Sequence, residues 1–487
     1  MSDPSAWLQL SHLLVQDPEP AQLLPARQQM AFTLGFHIIL VPFGVAFTFL
    51  MLIANYRSIR RDDRTAMLLA RRWSQVAAVL FAVGAVSGTV LSFELGLLWP
   101  GLMGTYGPAF GIPFAIEGLF FFLEAIFVAI YIYGWDRMRP WPHFWTGVPV
   151  VLSGVGGTLS VVAANGWMNQ PAGFTLRDGR LVEVRPLQVI FNKAFGYEAV
   201  HMLLAAYMVA GFVIAGVYAV GMLRGRRNRY HRLGLLIPLT AAAVATPLQV
   251  FMGDVAAREV FQNEPAKFAA IEGLAKTGTH VPEVLGGAFV DGRVRYGVAI
   301  PWGASVLSGF KPSTRIQGLD AVPAQFRPTD RAVTMVHLAF DVMVGVGFTL
   351  LGLSAWFAYE WWRRRDVPRS RWFLRFTAVS GVLAVVALES GWVVTEVGRQ
   401  PWTVVGHLLT RDAVNRSGNL WLFFGATVAI YAAVGAATIY VLRLLRRRWQ
   451  DADSALGRGG EGTGVGDADG FVPYGPSRAR DAGGERP

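Results

Sequence analysis

Windows of about 20 apolar residues recur along the chain until about residue 443, and this feature constrains the fold most strongly. Each window is long enough to cross roughly 30 Å of hydrocarbon as a helix. The chain is 53% hydrophobic and 16% charged, which leaves too little polar surface for a soluble protein of 487 residues. The sequence therefore predicts an all-α, polytopic integral membrane protein.

We predict nine transmembrane spans, near 29–55, 73–99, 110–134, 145–167, 190–222, 234–252, 333–359, 373–397 and 418–442. Arginine-rich segments lie at alternating turns, at 57–72, 224–232, 363–375 and 443–448. Because such segments remain in the cytoplasm, we expect the N-terminus outside and the C-terminus inside. The net charge of +11 then reflects topology and attraction to anionic lipid, and it gives no case for a nucleic-acid partner.

The spans divide the chain into five predicted segments. These are an extracytoplasmic N-terminal segment (1–28), spans one to six (29–252), an extracytoplasmic loop (253–332), spans seven to nine (333–443) and a disordered cytoplasmic tail (444–487). The first segment lacks the basic start of a cleaved signal peptide, so we expect a short interfacial helix there. The tail is rich in Gly, Asp, Arg and Ser, a composition typical of disorder.

The chain contains no cysteine. This excludes disulfides, iron–sulfur clusters, thiolate nucleophiles and covalently attached c-type haem. Any metal or cofactor must therefore be held by His, Met, Asp or Glu.

Ionisable side chains inside hydrocarbon cost about 2.5–3.5 kcal/mol each, so each one in a span is a functional candidate. The ionisable candidates in the spans are His37, Glu117, Glu124, His201, His337, Asp341, Glu389 and Glu396. Met343, which lies close to Asp341 in span seven, is a further candidate. Counted from the predicted span ends, the candidate ligands lie in the outer half of the bilayer. This shared level indicates a common site.

His201 and Met343 lie at matched predicted depths in spans five and seven. Such a pair is typical of the axial ligands of a low-spin haem iron. The alternative is structural, because a membrane histidine often bonds a neighbouring helix and methionine often fills gaps in packing.

Glu117 and Glu124 are seven residues apart, which places them on one helix face about 10 Å apart along the axis. Two such carboxyls with water between them can pass protons. The alternative is a pair of neutral carboxyls that hydrogen-bond to neighbouring helices.

The segment GWVVTEVGRQPW, residues 391–402, closes span eight. Glu389, Trp392 and Glu396 share one helix face, and Arg399 follows one turn later, before Pro401 ends the helix. An ion pair at a helix end explains Glu396 and Arg399, but not the tryptophan and the second acid. The segment therefore favours a buried cofactor.

Six motifs together resemble subunit I of cytochrome bd-type quinol oxidases. They are FHIILVPFG (36–44), AIEGLFFFLEA (115–125), ANGWMNQPAGF (164–174), KFAAIEG (267–273), VMVGVGF (342–348) and ESGWVVTEVGRQPW (389–402). They occur in the order of the family and extend over most of the membrane region.

The resemblance implies the following site. His201 and Met343 would ligate a low-spin haem b, and His37 and Glu396 would ligate a high-spin haem b and a haem d, or a further haem b. Trp392 would lie between haems, Arg399 would pair with Glu396 or a haem propionate, and Glu117 and Glu124 would carry protons from the cytoplasm. Lys267 and Glu272 would bind quinol in the 253–332 loop. This chain departs from the family at Asp341, where a basic residue is usual two positions before the methionine ligand.

The resemblance also implies a function and partners. The chain would oxidise quinol at the outer face of a bacterial cytoplasmic membrane and reduce O₂ to water, beside a second hydrophobic subunit and a small single-span subunit. Two alternatives stay open at this point. One is a cyanide-insensitive relative with haem b only, and the other is a proton-coupled transporter without cofactor.

Overall fold

A computed structural model of the chain describes residues 20–368 and 370–457. Within these ranges, nine helices are long and apolar enough to cross a membrane. They are α1 (Leu23–Arg61), α2 (Arg64–Leu98), α3 (Pro100–Gly134), α4 (Pro140–Asn169), α5 (Phe195–Leu223), α6 (Arg229–Asn263), α7 (Asp330–Arg364), α8 (Arg371–Gly398) and α9 (Leu420–Gly457). The predicted fold class and the nine spans are confirmed.

Several helix ends differ from the predicted spans. Helix α5 begins at Phe195 rather than at 190, because the Asn192 side-chain oxygen accepts the Phe195 N–H at 3.1 Å. Helix α6 continues to Asn263, so its last turns belong to the segment that we predicted as loop. Hydropathy misses these turns because they project beyond the apolar part of the helix.

Helix α9 continues to Gly457, beyond the predicted start of the tail at 444. The Trp449 indole donates to the Gln75 side chain at 3.2 Å, and the Arg72 guanidinium lies 5.4 Å from the Trp449 ring centre. These contacts with α2 stabilise the helix past its hydrophobic part. Residues 1–19 of the predicted N-terminal segment and 458–487 of the predicted tail lie outside the described residues.

The nine helices alternate in direction, so the connections between them lie at the two opposite ends of the bundle. One end carries the connections 170–194, 264–329 and 399–419, and we call it the loop end. The other end carries the arginine-rich turns, and we call it the arginine end.

The loop end is built from short hairpins and short helices. The antiparallel pairs are β1 (Phe174–Arg177) with β2 (Arg180–Val184), β3 (Glu283–Leu285) with β6 (Val298–Ile300), β4 (Ala288–Val290) with β5 (Arg293–Arg295), and β7 (Trp402–Val404) with β8 (Leu408–Leu409). The short helices are Pro186–Ile190, Pro265–Ile271, Gly303–Gly309 and Thr410–Ala413. The predicted 253–332 loop is therefore a folded layer over the bundle.

The second half of the bundle is a four-helix group. Helix α5 packs on α6 and α8, and α7 packs on the same two helices. This order places α5 and α7 at diagonally opposed positions. Their shared core includes the fully buried Phe212, Leu235 and Phe373.

Candidate functional site

A cavity of about 910 Å³ runs from the loop end into the bundle among α1, α2, α3, α4 and α8. This volume is at the upper end of the range of small-molecule and cofactor sites. Six residues predicted from the sequence line it together: His37, Glu117, Glu124, Trp392, Glu396 and Arg399. The structure thus brings these residues from α1, α3 and the end of α8 to one space.

His37 lies on α1 at the wall of this cavity. Its Nδ1 is hydrogen-bonded with the Ser87 hydroxyl of α2 at 2.9 Å. A β-carbon on Gly88 would lie only 2.9 Å from the His37 ring, so glycine leaves the space that the imidazole needs. With Nδ1 held in this way, Nε2 is the nitrogen that an iron would take.

Glu396 and Arg399 lie at the end of α8. Arg399 donates to Glu396 Oε2 at 2.5 Å, and Asn165 of α4 donates to Glu396 Oε1 at 2.7 Å. Arg399 is only 5% exposed, and its Nε and Nη1 have no hydrogen-bond acceptor among the described residues. Unpaired buried guanidinium donors beside a large cavity fit a ligand that carries carboxylates, as a haem does.

Glu124 lies between two cavities. It lines the large cavity and also a water-sized cavity of about 20 Å³, which is bordered by Thr48, Ser74 and Tyr131. That volume holds about one water molecule. Beside Glu124, α1 has a π-helical turn at Phe43–Phe47, a distortion that is common at functional sites. Glu117 lies nearer the loop end on the same helix and lines only the large cavity.

His201 and Met343 lie on the diagonally opposed helices α5 and α7. Gln249 of α6 contacts both His201 ring nitrogens at 3.2–3.3 Å, and a β-carbon on Gly391 of α8 would lie 3.1 Å from the Met343 sulfur. Thus α6 and α8 frame the space between the two candidate ligands.

The equal distance of His201 and Met343 from their helix ends is not observed. His201 lies six residues after Phe195, whereas Met343 lies thirteen residues after Asp330. The reason is that α5 begins later and α7 begins earlier than their predicted spans. The two side chains themselves remain candidates on opposed helices.

Glu389 does not line the large cavity, although it was predicted to share a face with Trp392 and Glu396. One of its oxygens lies 3.3 Å from where a β-carbon of Gly35 on α1 would be. Its other oxygen has no hydrogen-bond donor among the described residues.

A chain of buried polar contacts joins the loop end to Glu396. The Lys267 ammonium forms an ion pair with Glu264 and donates to the Asn169 side-chain oxygen at 2.8 Å. The Asn169 amide in turn donates to Asn165 at 3.0 Å, and Asn165 bonds Glu396. Burial opposes ionisation of Glu264, but the Lys267 ammonium holds its pKa below its usual value.

Lys267 and Glu272 are both buried, at 6% and 9% exposure. They contact different neighbours. Lys267 faces Glu264 and Asn169, while the Glu272 carboxyl lies beside that of Glu283.

Replacing Lys267 with methionine should destabilise the protein strongly. The change leaves the Glu264 carboxylate buried without its partner, which costs about 3–5 kcal/mol in the free energy of unfolding. Thermal unfolding of the purified complex measures this loss. The matched control is Lys276→Met at an exposed lysine, and adding Glu264→Gln to Lys267→Met should recover part of the loss. Equal unfolding temperatures for Lys267→Met and Lys276→Met would contradict this account.

Four polar residues of this region were not among the residues predicted from the sequence: Asn165, Asn169, Glu198 and Glu264. Glu198 and the two asparagines could have been selected from the sequence, because a polar side chain in or beside a predicted span is costly to bury in hydrocarbon. Glu264 lies in the segment that was predicted as loop, where hydropathy gives no such signal.

Comparison with known proteins agrees with this geometry. The family model described as cytochrome bd terminal oxidase subunit I matches residues 25–449. A Bacillus subtilis (strain 168) protein named putative cytochrome bd menaquinol oxidase subunit I is 33% identical over 430 residues, covering 86% of this chain and 95% of that protein. A second protein of that strain, named cytochrome bd ubiquinol oxidase subunit 1, is 27% identical over 434 residues, covering 86% and 92%.

A solved structure is also similar. The structure of bd oxidase from Geobacillus thermodenitrificans superposes with a TM-score of 0.81 at 32% identity, covering 88% of this chain and 99% of that chain. The resemblance seen in the sequence motifs is therefore confirmed. The chain belongs to the cytochrome bd terminal oxidase subunit I family.

Proposed function

We propose that this chain is the haem-carrying subunit of a terminal quinol oxidase, which oxidises quinol at the loop end and reduces O₂ to water inside the bundle. The observation that carries the proposal is the single cavity lined by an imidazole, a carboxylate–guanidinium pair and two further carboxyls. This set provides an iron ligand, partners for acidic cofactor groups and a route for protons in one place.

The residues fit the haem groups that the family implies. His201 and Met343 would hold the low-spin haem b, and His37 and Glu396 would hold the high-spin haem b and the haem d, or a further haem b. The unpaired Nε and Nη1 of Arg399 are suited to a propionate. Bound haem supplies electron transfer and oxygen reduction, and the protein supplies ligands, spacing and proton access.

Protons for water formation enter from the arginine end through Glu124 and then Glu117. Glu124 supports this direction because it joins the water-sized cavity to the large one. The arginine-rich turns support a cytoplasmic location for that end. Each charge that crosses the membrane against its potential costs about 2.3 kcal/mol per 100 mV, which the oxidation of quinol must supply.

The chain works in a bacterial cytoplasmic membrane beside a second hydrophobic subunit, and a small single-span subunit completes the complex. In the most apolar part of α3, only 6% of the residues are buried, so this helix needs lipid or another subunit against it. Leu119, Phe122 and Ile126 form part of its exposed surface.

Oxygen uptake by the purified complex tests this function. We expect uptake when ubiquinol or menaquinol is added, and alkalinisation inside vesicles whose interior faces the arginine end. A complex that contains both large subunits but consumes no oxygen with either quinol would contradict the proposal.

A further inference from the structure

Two carboxyl groups of the loop layer form a buried pair. Glu272 follows the short helix Pro265–Ile271 and is 9% exposed, while Glu283 begins β3 and is half-buried. Their carboxyl groups lie beside one another, and Oε2 of each is enclosed without a donor among the described residues. Two ionised carboxylates at this contact repel one another.

The His337 ring of α7 lies beside the pair. Its Nδ1 lies 2.7 Å from the Ile271 carbonyl oxygen, and its Nε2 lies 3.1 Å from the Gly286 carbonyl oxygen. The ring is 1% exposed, so these contacts hold the loop layer against α7 inside the protein.

Asp341 also connects α7 to the loop layer. Its Oδ2 lies 3.7 Å from His337 Nε2 and accepts the Gly286 N–H at 2.6 Å. Gly286 and Gly287 have φ of +69° and +93°, a turn that L side chains rarely adopt, and it fixes β3 against α7.

The two carboxyl groups of the pair carry like charges when both are ionised, so one proton on the pair stabilises it. Burial raises the pKa of Glu272 well above its usual range, and Glu283 and Asp341 raise it further. Burial also raises the pKa of Glu283. Glu272 is the more enclosed of the two, so burial favours the proton on Glu272.

We propose that Glu283 is the proton-exit residue of the quinol site, which passes protons from the buried Glu272 to water outside. This rests on the proposed quinol oxidase function and extends it to a residue with no assigned role. The position of Glu283 supports it, since this side chain contacts the buried acid at one end and lies in a partly exposed strand.

Glu272 gives its proton to Glu283, which releases it to water. The resulting Glu272 carboxylate then accepts the proton of a quinol hydroxyl, so one O–H bond breaks on quinol and one forms on Glu272. Each proton leaves with one electron, for which a bound low-spin haem would be the acceptor. Two such steps convert quinol into quinone, two released protons and two transferred electrons.

The test is Glu283→Gln in the complete, haem-loaded complex. We expect kcat for quinol-dependent oxygen uptake to fall by about 100-fold, since a proton-transfer group is removed. The KM for quinol should stay within about twofold, and Glu283→Asp should restore most of the rate. The groups that face Glu283 are Glu272 from the preceding segment and His337 and Asp341 from α7. Removing the like charge should therefore shift the acid limb of the kcat profile to lower pH.

Two controls separate this role from damage to the enzyme. The electron donor N,N,N′,N′-tetramethyl-p-phenylenediamine reduces haem without giving up hydroxyl protons, so Glu283→Gln should reduce oxygen from it at the wild-type rate. Glu183→Gln changes an exposed carboxyl in β2 at the same end and should leave both rates unchanged.

Each remaining outcome counts against a particular claim. The exit role would be overturned if Glu283→Gln kept the wild-type rate of quinol-dependent oxygen uptake and the wild-type acid limb of the kcat profile. It would also be overturned if Glu283→Gln and Glu283→Asp lost the same fraction of that rate while the acid limb stayed in place. An equal loss with the electron-only donor would also overturn it. A wild-type complex inactive with both donors would instead overturn the proposed oxidase function.

Discussion

Replacing His201 with alanine is expected to remove the low-spin haem and to abolish quinol-dependent oxygen uptake. The imidazole is the strong axial ligand of the proposed pair, and the Met343 thioether alone binds iron weakly. Because Gln249 contacts both ring nitrogens, truncation also leaves a buried amide without its partner. The dithionite-reduced spectrum and the oxygen uptake of the purified complex measure both effects.

Three comparisons make the His201 result specific. Met343→Leu should give the same spectral loss from the opposite helix, whereas His37→Ala should alter a high-spin haem and retain the low-spin bands. His231→Gln is the matched control, because this histidine lies at the arginine end, where its Nδ1 is 2.7 Å from the Asn228 side-chain oxygen. A His201→Ala complex with unchanged low-spin bands would contradict the assignment.

Replacing Glu124 with glutamine is expected to slow oxygen reduction by about 100-fold, in line with the loss of a proton-transfer group. Glutamine keeps the shape of the side chain but cannot carry a proton between the water-sized cavity and the large cavity. The haem content and the KM for quinol should be unchanged, because quinol is oxidised at the other end of the route. Stopped-flow oxidation of the reduced complex by O₂ isolates this step.

Glu94→Gln is the control for Glu124→Gln. Glu94 is also a buried carboxyl of the membrane region, but it bonds Gln29 and Thr33 and does not line the large cavity. We expect the Glu94 variant to keep most of its oxygen reduction. Similar rates for Glu124→Gln and wild type would argue for the alternative interpretation, in which Glu117 and Glu124 are neutral structural carboxyls.

The physical rules of the bilayer predicted most of the fold from sequence. The nine apolar windows correspond to nine membrane-length helices in the part of the chain that the structure describes, and the arginine-rich turns all fall at one end of the bundle. The cost of burying charge in hydrocarbon also predicted residues that line the cavity, which are His37, Glu117, Glu124 and Glu396.

These rules do not predict where the helices end or how the loop layer folds. The late start of α5 depends on one hydrogen bond, from the Phe195 N–H to the Asn192 side chain, and the long α9 depends on Trp449 packing against α2. The partners of Lys267 and Glu272 depend on how the loop layer folds over the helices, which periodicity does not encode. Glu283 was missed because an acid in a loop carries no energetic signal until the structure shows it enclosed.

The haem content and visible spectrum of the purified complex test the central claim most directly. We predict a protein with low-spin haem b bands that disappear in Met343→Leu, and high-spin bands that change in His37→Ala and in Glu396→Ala. A red band would identify haem d at the oxygen site, and its absence would identify a relative with haem b only. A colourless complex, as a cofactor-free transporter would give, would contradict the account.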